Sequence, residues 1–225
     1  MKKLTALALS AALFAVACKE NKTDNVTTST EQTVAAEKGS TYNVDGTATT
    51  VKWTAYHKGG LNPRFGTMKA EGSLTAENGN LTSGNLTSDV NSLTTDPKSV
   101  DAAKSDGKTS LDLDTHLKSS DFFDAAKYPA VKFAITKVEE LPADADKSKV
   151  EGANKLVSGN LTLKDKTVNV SFPAKVEVTD HQVSVVSKFT VNRVDWGLTY
   201  GAEGNPVDWM ISKDIDLDLN ILAKK

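Results

Sequence analysis

The side chains with the most obvious capacity for chemistry are sparse and widely spaced in this chain. There are three histidines, His57, His116 and His181. None stands in a His-x-His or His-x-x-x-His pattern, the spacings that bring two imidazoles to one face of a strand or a helix for a metal ion. The aspartates between Asp112 and Asp124 lack the glycine and the terminal glutamate of a calcium-binding loop. The sequence therefore predicts no metal site.

The chain also carries no nucleophile elbow or other catalytic motif, which favours a binding protein without a cofactor over an enzyme. The only two arginines, Arg64 and Arg193, stand out among many lysines. A guanidinium suits bidentate recognition of phosphate or carboxylate, so both are candidates for contacting the polar head of a ligand, as are His57 and His116. Each candidate has a structural alternative, such as an ion pair between Arg193 and Asp195 or hydrogen bonds that fix the histidines.

The N-terminus has the features of an export signal. Two lysines precede an apolar run that is shorter than the ~20 residues of a membrane-spanning helix, so we expect residues 1–17 to be a cleaved signal peptide. The only cysteine, Cys18, directly follows Ala-Val-Ala, an arrangement that resembles the lipobox of bacterial lipoproteins, in which the cysteine is acylated. The alternative is an ordinary secretion signal followed by a cysteine without that role.

The composition of residues 18–40 predicts a flexible tether. This segment is rich in Thr, Glu, Asn, Lys and Ser, and Val26 and Val34 are its only large aliphatic residues, too few to build a core. With Cys18 acylated, we expect an exported lipoprotein of the cell envelope, on the outer membrane or facing the periplasm. Without acylation, the expectation is a soluble periplasmic or secreted protein. Residues 41–225 fit one domain.

Alternation of apolar and polar side chains with a period of two dominates this domain. The clearest example places Val131, Phe133 and Ile135 on one face of a strand. Short turn sequences separate such runs, and this spacing favours antiparallel hairpins over crossover connections. About eight strands are expected, which two packed sheets or one closed barrel would both accommodate. Closure would also remove exposed strand edges.

Residues 97–128 interrupt the alternation and predict a short helical insertion. Asp114 and Asp121 are suitable helix N-caps in this segment. The adjacent Phe122 and Phe123 cannot point in the same direction on one helical turn. We therefore expect one ring to enter the interior of the domain and the other to pack the insertion onto it.

Two neighbouring segments carry a resemblance to a known family. They are His116-Leu-Lys-Ser-Ser-Asp-Phe-Phe-Asp124 and Lys127-Tyr-Pro-Ala-Val-Lys-Phe133, which resemble the signature of the YceI-like family of exported lipid-binding proteins. Weaker matches to the other blocks of the family lie at 42–45, 159–163 and 193–198, in the order that the family has them. Together these blocks extend the resemblance over the whole expected domain.

The resemblance implies an all-β fold, an antiparallel lipocalin-like barrel that binds polyisoprenoid-type lipids in an apolar tunnel. We therefore expect a protein that holds a long apolar lipid, of polyisoprenoid, quinone-like or fatty-acyl type, for storage or transport in the cell envelope. Two alternatives stay open: an isomerase or hydrolase acting on a bound lipid, and a ligand-free envelope stress module filled by its own side chains. A nucleic-acid partner is not expected, because the formal net charge is -2.

Residues on the inward faces of such a barrel would contact the lipid chain. The expected contacts are Trp53, Phe65, Met68, Ala70, Leu74, Leu86, Val90, Phe122, Phe123, Phe133, Ile135, Leu161, Leu163, Phe172, Phe189, Trp196 and Trp209. The expected contacts of a polar head are His57, His116, Arg64 and Arg193.

Overall fold

The computed structural model describes residues 23–142, 148–203 and 211–225, most of which lie in β-strands. The strands are β1 (Asp24–Asn25), β2 (Thr27–Ser29), β3 (Ser40–Val44), β4 (Thr50–His57), β5 (Leu61–Met68), β6 (Ala70–Glu77), β7 (Asn80–Asp89), β8 (Thr94–Thr95), β9 (Ala130–Glu140), β10 (Lys155–Leu163), β11 (Lys166–Val178), β12 (Gln182–Asn192) and β13 (Ile211–Lys224). Within these ranges the only α-helix is α1 (Ser110–Lys118), and no helix is long and apolar enough to cross a membrane. Short 3₁₀ turns span Lys58–Gly60, Val90–Ser92, Pro97–Ser99, Ala102–Lys104 and Arg193–Trp196. The expected signal peptide and Cys18 lie outside the described residues.

Eight of the strands close into a ring in the order β12, β11, β10, β9, β7, β6, β3 and β13, which pairs again with β12. Neighbours in the ring run antiparallel. The predicted all-β antiparallel barrel with a short helical insertion is therefore confirmed. The closed ring also decides between the two architectures that the alternation left open.

One strand, β13, closes the ring. It pairs with β12 from Asp214 to Lys224. On its other edge it pairs with β3 at its C-terminal end and with β4 from Ile211 to Asn220. Because β4, β5 and β8 continue from this edge, the wall extends beyond the ring where β13 begins. We call this the open end of the barrel and the opposite end the closed end.

A tyrosine seals the closed end. Tyr42 on β3 is only 4% exposed, and its hydroxyl donates a hydrogen bond of 3.0 Å to the carbonyl oxygen of Thr179. Thr179 lies in the turn between β11 and β12, neither of which neighbours β3 in the ring. The side chain therefore connects separate parts of the wall and fills the space between them.

The helix α1 lies at the open end and begins earlier than expected. Thr109 is its N-cap, because the Thr109 side chain accepts from the N–H of Asp112 while the Asp112 carboxylate accepts from the N–H of Thr109 at 2.8 Å. The predicted N-cap role of Asp114 is wrong. Asp114 lies inside the helix and is buried, and its carboxylate accepts from the N–H of Thr95 at 2.7 Å, which fixes α1 to β8.

The barrel wall is split between β11 and β12 toward the open end. Their ladder covers only Lys175–Val178 and Val183–Val186. Pro173, two residues before this ladder, has no N–H with which to extend it. The N-terminal segment fills the split, because β1 pairs with β12 and β2 pairs with β11. Between these two short strands, Val26 packs against the core.

Residues 23–39, which we call the N-terminal strap, continue from the split across the outside of the barrel. The N–H of Ala35 donates to the carbonyl oxygen of Ile135 on β9 at 2.9 Å, and the carbonyl oxygen of Ala35 accepts from the hydroxyl of Ser83 on β7 at 3.0 Å. This arrangement differs from the flexible tether that the composition predicted. The strap needs no core of its own, because its backbone bonds to strand edges and to polar side chains of the wall.

Asn160 on β10 holds the middle of the strap. Its side chain is 5% exposed, its amide oxygen accepts from the N–H of Gln32 at 3.0 Å, and its amide nitrogen donates to the carbonyl oxygen of Gln32 at 2.7 Å. The amide nitrogen of Asn169 donates to the same Asn160 oxygen at 3.0 Å. Polar side chains on the outer face of an antiparallel sheet commonly lie in water, but these two are buried beneath the strap and hydrogen-bonded.

Replacing Asn160 by Ala should loosen the strap. The substitution leaves the backbone N–H and carbonyl of Gln32 without their partner and removes one of the two acceptors of the Asn169 amide. Such a loss costs about 1–3 kcal/mol when the groups remain buried. We expect a lower free energy of unfolding in urea and faster proteolysis within the strap. Asn85→Ala is the control, since Asn85 is exposed and, among the described residues, its side chain makes one long hydrogen bond to the strap, of 3.3 Å to the Glu37 carboxylate. Equal protease resistance of Asn160→Ala and the native chain would contradict this role.

Candidate functional site

Two adjoining chambers lie one behind the other between the open end and the interior of the barrel. The outer chamber, under α1, has a volume of about 520 Å³. The inner chamber lies within the ring and has a volume of about 190 Å³. The outer volume falls in the ~300–1,000 Å³ range of small-molecule sites. The two chambers share Trp53, Phe123, Arg193, Leu198 and Ile215, which therefore form the boundary between them.

The inner chamber is almost entirely apolar. Apart from the indole nitrogens of its tryptophans, the polar side chains among its described lining residues are Ser88 and Arg193. Three aromatic rings form one part of its wall: Phe172 stacks on Phe189 with 4.1 Å between ring centroids, and Phe133 lies 5.9 Å from Phe172. Such a wall offers contact to methylene and isoprenoid groups and few partners for polar groups.

Glycines allow large side chains to lie flat against the wall. A Cβ atom at Gly159 would stand 2.2 Å from the ring of Phe133, and a Cβ atom at Gly66 would stand 2.8 Å from the indole of Trp53. These rings therefore occupy space that any other residue on the neighbouring strand would need. Because they lie on the wall, they leave part of the lumen empty.

An aromatic cluster stands in the roof of the outer chamber. The imidazole of His116 makes edge contacts with the rings of Phe122 and Tyr200, with centroid distances of 5.1 and 5.0 Å. Its Nε2 lies 3.0 Å from a carboxylate oxygen of Asp121. His116 thus fixes the segment that follows α1, as its structural alternative predicted, while it also lines the chamber. Phe122 lines only the outer chamber, whereas Phe123 reaches both.

Most of the residues expected to contact the lipid chain lie on the cavity wall. These are Trp53, Met68, Ala70, Leu74, Leu86, Phe122, Phe123, Phe133, Ile135, Leu161, Leu163, Phe172, Phe189 and Trp196. Phe65 and Val90 are not among the lining residues, and Trp209 lies outside the described residues. Val90 is buried, but it follows the end of β7 in a 3₁₀ turn.

Phe65 was expected to face the cavity, but the inward positions of β5 are shifted from it by one residue. Arg64 and Met68 line the cavity, and Gly66 lies against the Trp53 indole. Since side chains alternate along a strand, these positions face inward and Phe65 faces outward.

Several lining residues were not singled out from the sequence. Those on strands carry the same alternation as their neighbours, and they include Val157, Val170, Val185, Val191, Leu217, Leu219 and Ile221. Others come from the insertion and from the turn before β8, where no strand period identifies them; they are Val100, Leu113 and Leu117 in the insertion and Leu93 after the turn.

Arg193 is bound to the backbone rather than to Asp195. Its guanidinium donates to the carbonyl oxygens of Ser212 at 2.9 Å, Ile211 at 3.1 Å and Leu198. The alternative of an Arg193–Asp195 ion pair is therefore wrong, and Asp195 accepts from the amide of Asn192 instead. Burial lowers the pKa of the Arg193 guanidinium, which nevertheless stays charged. Arg193 joins the turn after β12 to the start of β13 at the boundary between the chambers.

Arg64 and His57 lie on the neighbouring strands β5 and β4, and both line the outer chamber. The Arg64 guanidinium donates to the carbonyl oxygen of Ser99 and to the hydroxyl of Ser105 at 3.2 Å, so it also holds the insertion. The Nδ1 atom of His57 is buried and has no hydrogen-bond partner within the described ranges. Burial, and secondarily the charge of Arg64, lowers the pKa of the His57 imidazole.

No cluster suited to a metal ion occurs among the described residues, since no three His, Cys, Asp or Glu side chains of these ranges come together. The chemistry that the site offers is burial of an apolar chain in the inner chamber. The outer chamber adds a few polar side chains near its opening, such as Asn62, Lys108 and Asp112.

The sequence profile of the YceI-like domain matches residues 42–223. The chain belongs to the YceI-like family. Solved structures share this YceI-like fold: BcnA of Burkholderia cenocepacia superposes with a TM-score of 0.57 at 18% identity, over 80% of this chain and 99% of BcnA. A polyisoprenoid binding domain from Saccharophagus degradans superposes with a TM-score of 0.55 at 16% identity, over 85% of this chain and 99% of that domain. No curated protein matches the sequence significantly.

The lowered pKa of His57 predicts that stability decreases on the acid side. The imidazole of an unfolded chain titrates near ~6.5, and below that pH the unfolded chain binds a proton that the native His57 site disfavours. The free energy of unfolding should therefore fall as the pH drops below ~6.5. NMR titration should give His57 a lower midpoint in the native protein than in the urea-unfolded chain. Equal midpoints in the two states would contradict the burial of this ring.

Proposed function

We propose that the protein binds one long apolar lipid, with its chain in the inner chamber and its head in the outer chamber. The observation that supports this most directly is the apolar lumen, which the protein's own side chains leave partly empty. Burial of apolar surface contributes ~25 cal/mol per Å², so an enclosed chain binds without a strong polar clamp. An unfilled lumen also disfavours the alternative of an envelope stress module packed with its own side chains.

The ligand class proposed is a polyisoprenoid, quinone-like or fatty-acyl lipid. The S. degradans domain is described as polyisoprenoid binding, and at 16% identity it supports the shared fold, so the ligand is carried over only as a proposal. We assign a binding role and no reaction to this site. In this role the protein stores or transports its lipid in the cell envelope.

The direct test is the composition of the purified protein. Mature protein from its native host should be extracted with organic solvent, and the extract analysed by mass spectrometry. We expect one class of long-chain lipid in near-stoichiometric amount. Folded protein that carries no lipid, and that takes up neither geranylgeraniol nor palmitate when they are supplied, would refute the proposed function.

Bulk added to the inner chamber should block uptake without unfolding the barrel. Ala70 lines this chamber and is 6% exposed. An overpacked core costs ~1–3 kcal/mol, whereas filling an empty cavity costs little. We therefore expect Ala70→Phe to keep the melting temperature of the delipidated protein and to lose co-purifying lipid. Glu71→Phe adds the same ring at an exposed neighbouring position and should retain the lipid. A lower melting temperature with unchanged lipid content would indicate a packed interior.

We further propose that Cys18 is acylated and anchors the exported protein to a membrane. Replacing Cys18 by Ser should release the mature protein into the soluble fraction or leave its precursor uncleaved, because several acyl chains together give stable attachment. Fractionation and mass spectrometry of the mature N-terminus check this. Unchanged membrane partition together with an unmodified N-terminus would exclude the anchor.

A further inference from the structure

Few large apolar side chains are exposed on the described part of the protein. They are Leu111 at 73%, Leu61 at 64% and Val34 at 44%. Val34 lies on the strap, on the side wall of the barrel. Leu61 and Leu111 both lie at the open end, although they come from different elements. Single exposed apolar residues are common on protein surfaces, so the position of this pair matters more than its existence.

Leu61 and Leu111 stand on the two elements that border the opening of the outer chamber. Leu61 follows the 3₁₀ turn at the tip of the β4–β5 hairpin, and the next residue, Asn62, lines the chamber and is exposed. Leu111 lies in the first turn of α1, and the next residue, Asp112, also lines the chamber and is exposed. An apolar side chain therefore points into solvent on each side of the opening.

Thr23, at the start of the strap, is held near the open end of the barrel. The hydroxyl of Thr23 lies 2.5 Å from that of Thr190 and donates to the carboxylate of Asp216 at 3.1 Å. Thr190 is two residues before the end of β12, which is ~7 Å along a strand. Cys18 precedes Thr23 by five residues, and five extended residues reach at most ~18 Å. An acyl group on Cys18 would thus hold the open end close to the membrane surface.

We infer that the open end docks on a lipid bilayer, with Leu61 and Leu111 inserted among the acyl chains, so that the outer chamber opens directly onto the membrane. This inference rests on the proposed lipid-binding function and adds the surface from which the lipid is collected or released. Lys108 and Asp112 border the same opening with opposite charges. Docking therefore depends on apolar contact rather than on anionic lipids.

Labels at the exposed positions test the orientation directly. In the mature chain with Cys18→Ser, an N-terminal hexahistidine tag would attach the protein to phosphatidylcholine vesicles that contain a nickel-chelating lipid. Leu61→Cys, Leu111→Cys and Val34→Cys would each carry an environment-sensitive nitrobenzoxadiazole dye. We expect a blue shift on attachment at positions 61 and 111 and none at position 34.

A second measurement uses the untagged chain with Cys18→Ser. Its partition onto phosphatidylcholine vesicles should fall at least ~10-fold when Leu61 and Leu111 are both replaced by Ser, since each burial of a leucine corresponds to about that factor. Val34→Ser is the matched control and should leave partition unchanged. Anionic lipid and added salt should have little effect on the native chain.

The outcomes separate the docking surface from the lipid-binding function. Dyes that shift at no position, or equally at all three, overturn the docking inference. A shift at positions 61 and 111 that needs no vesicles and rises with protein concentration also overturns it, because a second copy of the chain then covers the surface. Lipid in the extract without a dye shift leaves the proposed function standing. A dye shift in a protein that carries no lipid and takes up neither geranylgeraniol nor palmitate refutes the function alone.

Discussion

The pairing of β13 with three different strands is the interaction on which the rest of the structure depends. Its edge along β12 closes the ring, and its other edge divides between β3 and β4. The division produces the asymmetry of the barrel. Where β13 meets β3, the ring is narrow and Tyr42 seals it. Where β13 meets β4, the wall continues outward through β5 and β8, and the insertion with α1 covers the space.

The empty lumen follows from how the large inward side chains are accommodated. A ring of eight strands is wide enough either to be filled by its own side chains or to hold one small ligand. Phe133 and Trp53 would reduce that space if they projected inward, but the glycines on neighbouring strands let them lie along the wall. The protein thus gains the contacts of large aromatic residues in its core without closing the cavity. The two arginines stabilise the same architecture. Their guanidinium groups donate to backbone carbonyl oxygens and, for Arg64, also to a serine hydroxyl, so each holds a neighbouring segment in place.

The parts of the fold that alternate could be predicted from the sequence. Phe133, Ile135 and Phe172 line the lumen as their period indicated, because a strand fixes the side of every residue once one is known. Phe65 was misplaced because it was chosen for its apolar side chain, whereas the alternation counted back from Met68 puts Arg64 inward and Phe65 outward. The alternation could not predict which strand edges pair to close the ring, because the paired strands are distant in sequence and no local pattern specifies them.

Alternation could not predict which residues of the insertion face the cavity or that the strap is ordered. Both depend on contacts with parts of the chain that are distant in sequence. Leu113 and Leu117 lie in a short helix at the mouth, where no strand period marks the side that faces the cavity. The strap has almost no apolar residues, and composition therefore indicated flexibility. Its order comes from partners distant in sequence, such as Asn160. The side-chain amide of Asn160 makes two hydrogen bonds with the backbone N–H and carbonyl oxygen of Gln32, as a neighbouring strand would.

The strap also means that the family match and the structural unit have different boundaries. The YceI-like domain begins at residue 42, but β1 and β2 occupy edges of β11 and β12 that this domain by itself leaves unpaired. Open strand edges are templates for pairing with other chains. A protein that begins at the family boundary would present two such edges beside the apolar patch that Val26 covers. It would therefore self-associate through these edges, although the composition of the missing segment makes that segment look dispensable.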